Sequence, residues 1–242
     1  MQYIKGLDAF DGRNHTAVTL GKFDGLHRGH QKLLNRIMKY AKKEDCDSVV
    51  CAFDMDRDCL MTNEERRAFL EDKVDYLIEI PFTREMMEME AEKFIDEILY
   101  KKLHASHIVV GTDFNFGHEK RGNHQMLEKY AAKYGYTVDV VEKAYYKDRE
   151  ISSTYIRELL LDGNVPLANE LLGYPYEITS VVEHGQQLGR TLGFPTMNLA
   201  PQGKKILPKY GVYACRVLVD GVWYGGVGNA GVKPTVAQEK RR

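Results

Sequence analysis

Apolar residues fall into two kinds of run along the first 142 positions. Short continuous runs at 17–21, 48–53, 76–80, 107–111 and 137–141 lack the strict alternation of a half-exposed sheet. They fit parallel strands covered on both faces. Between them, apolar positions recur at helical spacing. Residues 29–44 align Leu33, Leu34, Ile37, Met38 and Ala41, and residues 86–103 align Met87, Ala91, Phe94, Ile95, Ile98 and Leu99. Two further helices are predicted over 124–134 and 63–70. The alternation predicts an α/β, doubly wound parallel sheet. Such sheets bind ligands at the carboxyl ends of their strands.

The pattern changes after residue 172. Helices are predicted at 153–162, with Ser153 or Thr154 as cap, and at 165–172. Gly173-Tyr174-Pro175 then breaks the pattern, and β-like runs follow at 177–183, 212–219 and 222–227. Asp220-Gly221 between the last two is a two-residue hairpin signal. A boundary near 173–176 divides the chain into a domain over 1–173 and a shorter unit over 174–242. The second unit shows too few strands to close a small barrel and remove its edges. A partial β-barrel is expected.

Composition narrows the setting. The chain has 242 residues, enough for one large or two modest domains, and 43 % are hydrophobic, enough for at least one core. A net charge of -1 gives no reason to expect a nucleic-acid or membrane partner. No run approaches the ~20 apolar residues of a membrane span, and the first residues do not resemble a signal sequence. Cys46, Cys51, Cys59 and Cys215 lack the spacing of a metal or redox motif. A cytoplasmic protein is expected.

The candidate chemistry begins at Gly21-Lys22-Phe23-Asp24-Gly25-Leu26-His27-Arg28-Gly29-His30. This segment follows a predicted strand and opens a predicted helix. Backbone N–H groups and two imidazoles there can meet a phosphate. Gly29 permits close approach to the backbone, and His27 and His30 can donate to charge developing at phosphorus. The competing readings are two histidines capping a buried helix start, or a metal pair. Asp113 follows the fourth predicted strand, as a ligand contact or a turn-forming residue. Phe114 and Phe116 can stack on a flat ring or pack in the core. Ser152, Ser153 and Thr154 sit at a helix start, binding an anion or merely capping. Arg157, one turn in, can reach the same phosphates or form a surface ion pair.

The first motif resembles the HxGH signature of the nucleotidylyltransferase superfamily, which has a Rossmann-like fold. Gly111-Thr112-Asp113-Phe114-Asn115-Phe116-Gly117 and Ile151-Ser152-Ser153-Thr154-Tyr155-Ile156-Arg157 resemble two segments of FMN adenylyltransferases. Residues 184–199, HGQQLGRTLGFPTMNL, are similar to the phosphate and magnesium loop of bacterial riboflavin kinases. The chain thus resembles the bacterial bifunctional riboflavin kinase/FMN adenylyltransferases over nearly its whole length. The resemblance implies transfer of an adenylyl group from ATP to FMN, with Mg2+ as cofactor. ATP and phosphate would be bound by Gly21, Phe23, Asp24, Gly29, Ser152, Ser153 and Thr154, with His27, His30 and Arg157 catalytic. Flavin would meet Asp113, Phe114 and Phe116. In the second unit, riboflavin would be the acceptor. Thr196 and Asn198 would hold magnesium and nucleotide phosphates within a loop containing Gly185, Gly189 and Arg190.

Several positions depart from that pattern. Lys22 stands where many relatives carry Asn, and Met197 where Ala is usual. Residues 53–57, FDMDR, replace a proline- and histidine-bearing flavin loop. No equivalent of the kinase base follows the segment 228–236, so riboflavin phosphorylation is expected to be lost or impaired in this chain. Gly226-Val227-Gly228-Asn229-Ala230-Gly231 matches GxGxxG but opens no helix. Asp54, Asp56, Asp58 and Glu65 mimic calcium-loop spacing, with Cys59 where glycine is needed. The alternatives to FMN adenylyl transfer are another phosphorylated acceptor, or flavin-nucleotide binding without catalysis.

Overall fold

The computed structural model describes residues 1–54, 58–184, 193, 196–200 and 203–231. Strand β1 (Gln2–Lys5) leads to β2 (Thr16–Gly21), helix α1 (Arg28–Glu44), β3 (Asp47–Asp54), α2 (Asn63–Leu70) and β4 (Tyr76–Pro81). Helices α3 (Arg84–Glu88) and α4 (Ala91–Lys93) follow, and α4 continues into a wide-turned segment, Phe94–Lys102. Next come β5 (Ala105–Gly111), the short pair β6 (Asn115–Phe116) and β7 (Gly122–Asn123), α5 (His124–Tyr134) and β8 (Thr137–Val141).

Strands β1, β4, β3, β2, β5 and β8 form one six-stranded parallel sheet in that order. The five strands read from the apolar runs are all in it. The short β1 is the addition; only its Ile4 is buried, and so little apolar signal does not mark a strand. Successive side chains point to opposite faces, and each face has its own core. Val18, Leu20, Ile78, Ile80, Ile108 and Val110 pack with Phe94, Ile95, Leu99 and Leu127. Ala17, Val50, Leu77 and Val109 pack with Leu34, Ile37 and Leu70. The continuous apolar pattern is therefore a consequence of two-sided burial. The chain steps from β2 to β3 to β4, then returns to the other side of β2 for β5. This reversal opens a crevice beyond Gly21 and Gly111, where open α/β sheets bind ligands.

One predicted helix divides. The run 86–103 is interrupted at Met89 and Glu90, both extended (ψ 124 and 147). Ala91, Phe94, Ile95 and Leu99 are buried as expected, but Met87 is 46 % exposed, because it lies on α3, before the break.

Past β8, the hairpin β9 (Tyr145–Tyr146) and β10 (Arg149–Glu150) leads to α6 (Ser153–Asp162) and α7 (Val165–Leu172). The cap of α6 is Ser152, one residue before the two predicted; its Oγ accepts from the N–H of Tyr155 at 3.2 Å. Gly173 ends α7 in the left-handed conformation, φ 81. Beyond it the described residues form two separate antiparallel pairs. These are β11 (Val182–Glu183) with β12 (Asn198–Leu199), and β13 (Gly211–Val219) with β14 (Val222–Ala230). The strand predicted over 177–183 is reduced to its last two residues. Asp220 and Gly221 have φ 48 and 80, the twist that a two-residue hairpin needs. The glycines of the GxGxxG match at 226 and 228 lie in β14 and open no helix. No described helix is long and apolar enough to cross a membrane.

Candidate active site

The segment after β2 is a tight loop. Phe23, Gly25 and Leu26 all have positive φ, at 45, 81 and 36. Side-chain-bearing residues adopt this conformation only when their surroundings impose it. Those surroundings are visible. Phe23 and Leu26 are fully buried. A side chain at Gly25 would come within 2.9 Å of Leu60. Gln31 Nε2 donates to the carbonyls of Leu26 and Leu172 at 2.8 and 2.7 Å, and the Tyr174 hydroxyl donates to the Gly25 carbonyl.

Asp24 is the centre of this support. Its Oδ1 accepts from the Leu60 N–H at 2.7 Å and its Oδ2 from Arg157 Nη2 at 2.8 Å. Its carbonyl accepts from Ser153 Oγ at 2.8 Å. Asp24 is 5 % exposed. Asp24 and Arg157 therefore lie behind the loop rather than among the residues that line the crevice. There they tie α6 to the start of α1.

His27 is the cap of α1; its Nδ1 accepts from the N–H of His30 at 3.4 Å. The two imidazoles stack, with centroids 3.7 Å apart and planes 21° apart. Burial lowers the His27 pKa to about 4. Burial, then His27 and the Arg66 guanidinium, hold His30 well below its ordinary value. Both rings are neutral at pH 7, each with one N–H to donate. His30 Nδ1 is buried without a hydrogen-bond partner. A side chain at Gly29 would meet the His27 ring at 3.1 Å and the Ile151 carbonyl at 3.7 Å. Glycine thus lets the starts of α1 and α6 approach each other.

Those two helix starts open onto one cavity of about 780 Å³, large for a ligand pocket. Gly21, Phe23, His27, Gly29, His30, Ser152, Ser153 and Thr154 line it. Asp113, Phe114 and Phe116, in the loop after β5, line it too. The crevice therefore brings together the three motifs read from the sequence.

The two phenylalanines differ. Phe116 is 7 % exposed, 5.2 Å from the Phe94 ring, and a side chain at Gly122 would strike it at 2.5 Å. It packs. Phe114 is half-buried and stands on the cavity wall. Gly117, φ 73, turns the chain there; a Cβ would lie 2.7 Å from the Ala91 backbone. Asp113 faces Lys143, whose Nζ lies 3.1 Å from its Oδ2 and 2.8 Å from Glu150 Oε2. The Glu150 carboxylate, with Asp113 adding, raises the Lys143 pKa.

Lys143 was not expected from the sequence, nor was the apolar wall of Phe53, Phe82, Met86 and Met87. Phe53 and Phe82 meet edge to face at 5.8 Å, and Phe82 is 43 % exposed. An exposed aromatic and an exposed Met after β4 are the only local signals. In the second unit Thr196 is exposed and Asn198 pairs with Glu183 in β12. Gly185, Gly189 and Arg190 lie outside the described residues, as do residues 55–57 of the departure loop and of the calcium-like spacing. Among the described residues no cluster of three or more His, Cys, Asp or Glu could hold a metal.

Residues 10–155 match the family model described as FAD synthetase, and residues 172–242 the one described as riboflavin kinase. The chain is 36 % identical to the bifunctional riboflavin kinase/FMN adenylyltransferase of Escherichia coli (strain K12), over 91 % of this chain and 74 % of that protein. Identity to the protein of the same name from Haemophilus influenzae is 36 %, over 98 % and 80 %. For the one from Buchnera aphidicola of Schizaphis graminum it is 34 %, over 100 % and 81 %. A crystal structure described as a macrolide-efflux protein from Streptococcus pneumoniae is 30 % identical, with TM-score 0.85 over 95 % of this chain and 78 % of that one.

Proposed function

The chain belongs to the bifunctional riboflavin kinase/FMN adenylyltransferase family, and from that premise we propose how its parallel-sheet region transfers the adenylyl group of ATP to FMN. The observation that carries the reading is the convergence of two helix starts, two neutral imidazoles and the Phe114 loop on one cavity. ATP phosphates lie against Gly29, His30, Ser152, Ser153 and Thr154, where N–H dipoles favour anions. FMN lies against Phe114, Asp113 and the apolar wall. A phosphate oxygen of FMN attacks the α-phosphorus of ATP. The bond to the bridging oxygen breaks, and pyrophosphate leaves with the electron pair. Phosphate is already a nucleophile, so positioning and charge stabilisation carry the step. His27 and His30 donate N–H bonds to the oxygens that gain charge. Arg157 acts from behind, holding Asp24 and through it the loop.

Magnesium bound to the triphosphate would shield the leaving group. Such an ion needs only one or two carboxylates besides phosphate oxygens. The cavity wall offers Asp113 and Glu150, both already drawn to Lys143. In the region after 173–176 we assign Thr196 and Asn198 to magnesium and nucleotide phosphates, with Gly185, Gly189 and Arg190 in the surrounding loop.

One assay separates the readings. The protein is incubated with ATP, magnesium and either FMN or riboflavin, and the flavins are resolved by chromatography. FAD from FMN is expected. Bound flavin without turnover would favour a binding protein. Turnover only with another phosphorylated acceptor would favour a different transferase. His30→Ala should cut FAD formation by ~10²–10³-fold or more without unfolding the chain; wild-type rates in that variant would sink the site assignment.

A further inference from the structure

The loop that carries His27 and His30 is held in place from far along the chain. Residues 58–60 form the far wall of Asp24, whose carboxylate takes the Leu60 N–H. On its other side, the same strip pairs with residues 204–206. The Cys59 N–H donates to the Lys204 carbonyl, and the Ile206 N–H donates to the Cys59 carbonyl, both at 2.9 Å. Lys205 Nζ donates to the Leu60 carbonyl at 2.8 Å and to Glu65 Oε2. Lys205 is 9 % exposed, and Glu65 is the residue that completes the capping box of α2. The Tyr174 hydroxyl reaches the Gly25 carbonyl directly. Both Tyr174 and Lys205 belong to the region matched by the riboflavin kinase model.

A buried ammonium is stable only with its partners in place. Here one partner is a backbone carbonyl of the strip, and the other is the carboxylate that completes the capping box of the helix that follows it. Leu60 is thus held by its N–H to Asp24 and by its carbonyl to Lys205. Asp24 in turn holds Arg157 and the start of α6. We propose that Lys205, with Tyr174, is a positioning residue for adenylyl transfer, so that the kinase-like region completes the support of the other reaction's phosphate site. The inference rests on the FAD reading above. Neither residue lines the cavity, so neither touches the reacting atoms; they act through Leu60, Asp24 and Gly25.

The test uses the full chain. Lys205→Met, Lys205→Arg and Tyr174→Phe are compared with wild type for kcat and KM with FMN and ATP, alongside FMN binding by fluorescence and thermal melting. Trp223→Ala, on the exposed hairpin, serves as control. Small misplacements of a phosphate site cost rate more than affinity. The expected result is a kcat about tenfold lower in Lys205→Met and Tyr174→Phe, with the KM for FMN unchanged and most of the rate returned in Lys205→Arg. Tyr174→Phe removes only a hydroxyl, and its ring keeps its place 5.1 Å from Phe69. It decides the matter if Lys205→Met does not fold. Wild-type kcat in folded Lys205→Met and Tyr174→Phe overturns the inference and leaves the FAD reading standing. A wild-type chain that makes no FAD overturns both.

Discussion

Strands β2 and β14 show how differently two parts of this chain achieve order. In β2, Thr16 to Leu20 are buried on both faces, and Val18 is 0 % exposed. In β14, Trp223 is 56 % exposed and Val227 77 %. The first strand is shaped by packing from two layers of helices. The second is shaped by its turn and by the nine-residue register with β13. A polar group buried by packing costs stability unless it is bonded: Thr16 donates to the Leu103 carbonyl at 2.7 Å, while the buried Thr19 hydroxyl of the same strand has no partner. A hairpin has no such demand, but a two-stranded ribbon alone is marginal in water. The loops that line the cavity leave the ends of β2 and β5, two strands buried along most of their length.

The largest loss of stability is expected at a buried charge. Arg66 and Glu79 pair at 3.3 Å, with side chains 5 % and 4 % exposed, and Tyr3 donates to Glu79 at 2.6 Å. Glu79→Leu strands the guanidinium and is expected to cost about 3–5 kcal/mol by urea melting. A loss below about 1 kcal/mol would show that this layer relaxes as freely as the hairpin.

Acid should act on the same layer. His27 titrates near 4 in the folded chain and near 6.5 when unfolded. Between these values the unfolded chain binds more protons, so the stabilisation, complete above about pH 6.5, is lost as pH falls toward 4. About 3 kcal/mol is at stake. Melts from pH 8 to pH 4.5 should show a decline that His27→Gln makes shallower, the remainder coming from His30; parallel curves would mean that His27 is not neutral and buried.

How much of this was legible follows the same division. Continuous apolar runs revealed the parallel strands because two-sided burial leaves no alternation. The strand–turn–helix setting of His27 and His30 singled out a loop that lines the cavity. The wall of Phe53, Phe82 and Met87 was not legible, because it forms only when α3 breaks from α4, and no Gly or Pro marks Met89 and Glu90. For Arg157 the sequence leaves a phosphate contact and an ion pair open, and for Asp24 it suggests a phosphate contact; their partners, each other and Leu60, are 133 and 36 residues away in sequence. The docking of Lys205 has no local signal either. Asp220-Gly221, a purely local feature, was read correctly.

Smaller effects should sharpen the contrast from the hairpin side. Gly221→Ala places a side chain at φ 80 and should weaken the ribbon by about 1 kcal/mol. Hydrogen exchange should rise in β13 and β14 while the main melting transition stays in place; a shifted main transition would mean that the two regions unfold as one. Trp223→Ala removes a large ring but little buried area, and a change within about 0.5 kcal/mol is expected. A larger loss would reveal packing on that ring.

The cavity is undivided. With ATP and FMN bound as proposed, the joined product makes both sets of contacts and must surrender them at once to depart. Neither substrate has to do so. Departure is therefore expected to be slower than bond making, with a rapid first equivalent of FAD ahead of a slower steady rate. A linear time course from the first turnover would place the slow step in the chemistry instead.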